Sequence, residues 1–154
     1  MNVTAVEVLA YSVLIAIGVV QSFEDIDTRR VHVLTTRIAG LWVVGMLGAA
    51  SILDHDLGAA LRMMFSAFAL WGVFSVLDRL TRGGIGSGDL RLAPVIGAAI
   101  GYLSVDSFAL GFLAIAVSGL VLALIELVRV GQHARVPFVP ALYIGVLASV
   151  IVYG

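Results

Sequence analysis

The chain contains no cysteine and no lysine, and only 12% of its 154 residues are charged. Without cysteine there is no disulfide framework, no thiolate metal site and no cysteine nucleophile. A soluble domain carries roughly a quarter charged residues, so half that share excludes an ordinary water-soluble globule and a disordered tail. Nine basic residues against ten acidic ones leave a net charge of −1, which provides neither the basic surface of a nucleic-acid binder nor a bulk attraction for anions. What the chain has in excess is apolar: 61% hydrophobic residues and a mean hydropathy of +1.11. This is the composition of an integral membrane protein.

A helix crosses the hydrocarbon core with about 20 mostly apolar residues. Apolar stretches run near Val6–Val20, Ile38–Leu53, Ala59–Leu77, Leu90–Leu103, Phe108–Val128 and Phe138–Tyr153, separated by short polar breaks. Strand alternation is absent, and closed barrels leave a far weaker hydropathy trace. The expectation is an all-α, polytopic membrane helical bundle of about six transmembrane helices, forming a single transmembrane domain over residues 1–154. The fourth stretch is short and carries Gly97 and Gly101, so a partial or tilted span is expected there. The first stretch does not read as a cleavable signal: no basic residue precedes it, Glu7 lies within it, and no small-x-small pattern stands near Val20–Gln21.

Arginine sets the orientation. Arg29, Arg30 and Arg37 follow the first span, Arg79, Arg82 and Arg91 the third, and Arg129 and Arg135 the fifth; only Arg62 lies near an even-numbered break. The positive-inside rule places the odd-numbered connections in the cytoplasm and both termini outside.

Ionisable groups at membrane depth are functional candidates by default. Asp54, Asp56 and Asp106 fall in short outer breaks and read as solvated turn residues. Glu7 suits a helix N-terminus, and Asp78 with Arg82 and Glu126 with Arg129 have the spacing of helical ion pairs. Two clusters remain, both on the cytoplasmic side. The first, Glu24-Asp25-Ile26-Asp27-Thr28-Arg29-Arg30-Val31-His32, reads taken alone as a charged interfacial collar. The second, Gly83-Gly84-Ile85-Gly86-Ser87-Gly88-Asp89-Leu90-Arg91-Leu92, packs four glycines into six residues before an apolar helix. Asp89 there reads as a helix N-cap, which leaves the glycines unexplained. A phosphate loop is excluded because the Lys-Ser/Thr pair is missing.

Together the clusters supply aspartates from two helices at one membrane face. Two carboxylates within a few Å do not both ionise, so one keeps its proton as general acid while the other acts as base. Such a pair activates water against a peptide carbonyl without metal, cysteine or serine. His32, His55 and His133 show no triad-like spacing. His32 beside Asp25 and Asp27 has no second His or Cys partner, so no metal and no cofactor is expected.

At these residues the sequence resembles the type IV prepilin peptidase family, membrane aspartic peptidases with a Gly-x-Gly-Asp motif. The family's D-L-R-T-R-R-I-P-N is matched by D-I-D-T-R-R-V-H-V. That resemblance implies Asp25 as the first catalytic residue, with Asp27 at a usually basic position and as the alternative. Gly86-Ser87-Gly88-Asp89-Leu90-Arg91-Leu92 resembles G-x-G-D-x-K-L, implying Asp89 as the second catalytic residue, Gly86, Ser87 and Gly88 as the substrate-approach motif, and Arg91 as a possible accessory. Val136 to Gly145, V-P-F-V-P-A-L-Y-I-G, is similar to the family's I-P-F-G-P-x-L-x-x-G. His32-Val33 stand in place of the family's Pro-Asn.

The resemblance implies an endopeptidase of the inner membrane that cleaves the short basic leader of a pilin-like precursor at the cytoplasmic face. It also implies the short, peptidase-only branch, without N-methyltransferase activity. The expected partners are that precursor and membrane lipid, with no nucleic acid. Two other readings stay open: a catalytically inactive pilus-assembly scaffold, and an ion- or proton-coupled transporter subunit.

Overall fold

The computed structural model describes residues 3–28, 33–81, 83–130, 136 and 138–154, with side chains described for all of these except 3, 4, 24–28, 33, 35 and 130. Among the described residues the regular elements are all helices: α1 (Val3–Thr28), α2 (Val33–Leu53), α3 (Leu57–Leu80), α4 (Ser87–Leu103), α5 (Val105–Val130) and α6 (Val139–Tyr153). Each apolar stretch of the sequence becomes one helix. The first continues furthest beyond its stretch, because no glycine or proline interrupts it between Val19 and Thr28. The acidic cluster expected to follow the first span therefore begins inside α1.

Four helices, α1, α2, α3 and α5, contain segments long and apolar enough to cross a membrane. Their outward faces are apolar as well; α3 exposes Leu61, Phe65, Phe68 and Trp71, the arrangement that lipid rather than water tolerates. The other two helices are shorter, 17 residues in α4 and 15 in α6, or about 25 and 22 Å at the helical rise. The glycine-rich fourth stretch is thus a short helix, and its setting explains why that suffices. α4 packs against α2, α3, α5 and α6, and its residues from Leu92 to Tyr102, Pro94 aside, are buried. Surrounded by protein, it is released from matching the bilayer thickness that a lipid-exposed span must meet.

Glycine makes this enclosure possible. A Cβ on Gly97 would run into the backbone of Ser66 and Ala67 on α3, and one on Gly101 would meet the Ser66 side chain. The α3 and α4 backbones meet along this seam, as small residues allow in membrane bundles. Gly111 on α5 packs in the same way against Ser149 and Gly145 of α6.

Two tyrosines tie α1 to α4 at the end carrying the α2–α3 turn. Tyr11 donates to the Ala99 carbonyl and Tyr102 to Glu7 Oε1, each at 2.6 Å. Glu7 is therefore not a helix N-terminal acid: it stands in the second turn of α1 and is held by Tyr102. Asp56, expected as a solvated turn residue, is the N-cap of α3, its Oδ1 accepting from the Ala59 amide at 3.0 Å while Oδ2 lies 3.5 Å from Arg62. Asp54, Asp56 and Asp106 are all exposed, in keeping with the expectation.

The seam makes a measurable distinction between glycines. Gly97→Ala is expected to cost about 1–3 kcal/mol by forcing α3 and α4 apart. Gly45, whose added Cβ meets nothing within 4 Å, should tolerate alanine with no loss or a gain of about 0.5–1 kcal/mol. Thermal unfolding of the two detergent-solubilised variants checks this.

Candidate functional site

The second cluster forms a compact turn between α3 and α4. The Thr81 hydroxyl donates to the Leu77 carbonyl at 2.8 Å and accepts from the Gly84 amide at 3.2 Å, while the Gly83 amide closes onto the Asp78 carbonyl at 2.8 Å. Gly83 has φ +84°, the left-handed conformation that glycine adopts at helix C-termini. Ile85 is buried and pins the turn to the core. Gly86 then runs extended and serves as the N-cap of α4, its carbonyl accepting from the Leu90 amide at 3.2 Å.

Asp89 is therefore not the N-cap. It lies in the first turn of α4, the third residue of that helix. A carboxylate there faces the positive end of the helix dipole and the amides that have no intrahelical acceptor. The side chain is only 3% exposed, and a Cβ on Gly86 would stand 3.0 Å from Asp89 Oδ2. The absence of a side chain at Gly86 thus leaves room for the protein's own carboxyl group. Further along, Pro94 lies inside α4 and removes the helical bond to the Leu90 carbonyl. Ser87 and Arg91 are exposed, and Gly86 and Gly88 partly so. Gly86 and Ser87, with Asp78, Gly83, Ile85 and Leu90, line a cavity of about 300 Å³ beside the turn.

Asp25 and Asp27 fall in the last turn of α1. Their side chains lie outside the described residues, as do Arg29, Arg30, His32, Arg82, His133 and Arg135; the ion pair expected between Asp78 and Arg82 and the metal alternative at His32 fall there with them. The chain path nevertheless puts the last turn of α1 and the first turn of α4 at the same end of the bundle. Contacts fix that end: Gln21 on α1 reaches Thr36 on α2, Tyr143 on α6 reaches Gln21, and the rings of Phe74 and Phe138 meet edge to face at 5.9 Å. The opposite end gathers Glu7, Asp54, Asp56, Arg62 and Tyr102 around a cavity of about 540 Å³. Among the described residues no group of three or more metal-ligating side chains forms.

Reading the sequence missed a buried polar layer next to the first cluster. Gln21 is 0% exposed; Tyr143 donates to its Oε1 at 3.0 Å, and its Nε2 donates to Thr36 Oγ1 at 3.4 Å. The only sequence signal was a glutamine closing an apolar stretch, which reads equally well as the start of a polar break. Beside it, Ile15, Gly18, Ser22, Phe23, Pro140 and Tyr143 line a groove of about 250 Å³ between α1 and α6.

A family model described as the type IV leader peptidase family matches residues 10–128, well over half of the chain. The matched segment takes in both acidic clusters and the glycine turn and stops before the Val136–Gly145 segment. No curated protein and no solved structure matches the chain.

The turn itself can be tested without an assay of activity. Gly83→Ala forces a side chain into the left-handed region at a cost of about 1–2 kcal/mol. The expected outcome is faster amide exchange across Gly84–Ser87, with global unfolding shifted by no more than that amount.

Proposed function

The chain belongs to the type IV leader peptidase family, and on that premise we propose that it removes the short basic leader of a pilin-like precursor, with Asp25 and Asp89 as a catalytic dyad. One carboxylate takes a proton from a water molecule as the water oxygen attacks the scissile carbonyl carbon. The protonated partner gives its proton to the carbonyl oxygen. Collapse of the resulting tetrahedral diol breaks the C–N bond as the first carboxyl group gives its newly gained proton to the nitrogen and the second takes a proton from a diol hydroxyl, which leaves a free carboxyl group, an amine and a regenerated dyad. No metal or cofactor enters this scheme.

The observation that carries the reading is Asp89 itself: a carboxyl group 3% exposed in the first turn of an enclosed helix, at the end of the bundle where α1 delivers Asp25. A membrane chain places an acid in such surroundings at a cost, and function is the default explanation. The turn at Gly86–Gly88 opens beside it and would let an extended peptide backbone approach.

The arginine bias of the odd-numbered connections supports a cytoplasmic setting for this end, in a bundle that this reading assigns to the inner membrane. The precursor's apolar helix would lie in the bilayer and present its scissile bond at that interface. Arg91, exposed two residues past Asp89, suits lipid headgroups better than a basic leader. The resemblance is to the short, peptidase-only branch, so peptidase activity alone is proposed.

Co-expression with a prepilin, read by gel shift and N-terminal sequencing, tests the assignment. Asp25→Asn and Asp89→Asn are each expected to lower cleavage by about a hundredfold or more, and Asp27→Asn to leave it near wild type. Cleavage should follow two coupled ionisations that belong to the pair and survive EDTA. Loss with EDTA and recovery with zinc, or cleavage retained in both asparagine variants, would overturn the dyad, and no cleavage by the wild-type chain itself would leave a scaffold or transporter.

A further inference from the structure

We propose that Gln21 is a positioning residue, its hydrogen bonds to Tyr143 and Thr36 fixing the rotation of α1 so that Asp25 is held on the face turned into the bundle. The proposal rests on the reading in which Asp25 belongs to the dyad. Gln21 and Asp25 are four residues apart in α1, so they share a helix face, separated along the axis by about 6 Å.

Apolar packing in lipid is non-directional, and a helix can rotate or slide with little change in buried area. Gln21 removes that freedom. Its amide is fully buried, accepts from Tyr143 of α6 at 3.0 Å and donates to Thr36 of α2 at 3.4 Å. Two partners on two different helices admit one rotation of α1. Its depth is fixed alongside: a Cβ on Gly18 would overlap the Tyr143 ring, so that ring lies against the α1 backbone one turn before Gln21.

Leucine would fill this position with similar volume and no polar groups to satisfy. Interhelical hydrogen bonds add little net stability in membranes, whereas a fully satisfied polar network specifies one arrangement. The tyrosine bonds from α1 to α4, at Tyr11 and Tyr102, lie near the other end of the bundle. The layer at Gln21 is therefore the described side-chain lock nearest Asp25 on its own helix.

The test uses the full chain, purified in detergent, with a prepilin substrate. Gln21→Leu is expected to lower kcat by on the order of tenfold to a hundredfold, the effect of a small misplacement of a reacting group, with KM within about twofold and the melting temperature unchanged. Tyr143→Phe and Thr36→Val, which remove one partner each and keep the shape, should give smaller losses in the same direction.

Because the native chain has no cysteine, an Asp25→Cys, Asp89→Cys pair and a short bis-thiol reagent report the spacing independently of activity. Cross-linking should fall several-fold when Gln21→Leu is added. Unchanged kcat in all three single variants, or a kcat loss that only follows a lowered melting temperature, overturns the positioning role. Failure of the underlying dyad is distinguishable, since Asp25→Asn would then cleave like wild type.

Discussion

The closeness of α3 and α4 is the constraint on which the rest of the structure depends. Gly97 and Gly101 leave no room for a Cβ against Ser66 and Ala67, so α4 lies among its neighbours rather than beside lipid. In that position a helix can be short, interrupted by Pro94 and still satisfied. Only there can its first turn hold a carboxyl group almost fully out of water. The turn that joins the two helices is tied by Thr81 to α3 and by Ile85 to the core, so the seam that sets the depth of α4 also sets the depth of Asp89. The packing of two backbones places the acid, and the helices around α4 supply its low-polarity surroundings.

Much of this was legible in the sequence because the signals are local. Span length and composition decide where an apolar segment crosses, and each of the six stretches became a helix. The glycine turn announced itself through four glycines in six residues. Less legible was anything where two physical causes leave the same letters. An acid just before an apolar run reads as an N-cap or as a first-turn residue; here Gly86 takes the cap and Asp89 the turn. The end of α1 was likewise ambiguous, because a charged stretch without glycine or proline can continue a helix or leave it. Asp56 is exposed as read but also caps α3 through the Ala59 amide and meets Arg62, and Glu7, read as a dipole-facing acid, is held by Tyr102. Of those partners, Tyr102 is 95 residues from Glu7, a pairing no local pattern reveals. Gln21 was hidden for the same reason, its partner Tyr143 lying 122 residues away.

The distribution of polar groups along the bundle bears on the competing readings of the chain. The described acids fall at the two ends: Glu7, Asp54, Asp56 and Asp106 at one, Asp78, Asp89 and Glu126 at the other. Between them α4 runs from Leu92 to Ile100 without a polar side chain. A proton or cation route needs acids or hydrated side chains near the midplane, and this central helix offers none. A scaffold, in turn, has no use for a buried acid that an apolar residue could replace with less desolvation. The proposed chemistry, confined to one interface, would draw on a buried acid in the first turn of α4, an apolar middle that anchors that helix and the polar layer at Gln21. That layer is costly as packing and precise as geometry. Its placement one turn before Asp25, rather than at mid-span, is the strongest structural argument that the end of α1 has to be held at a particular angle.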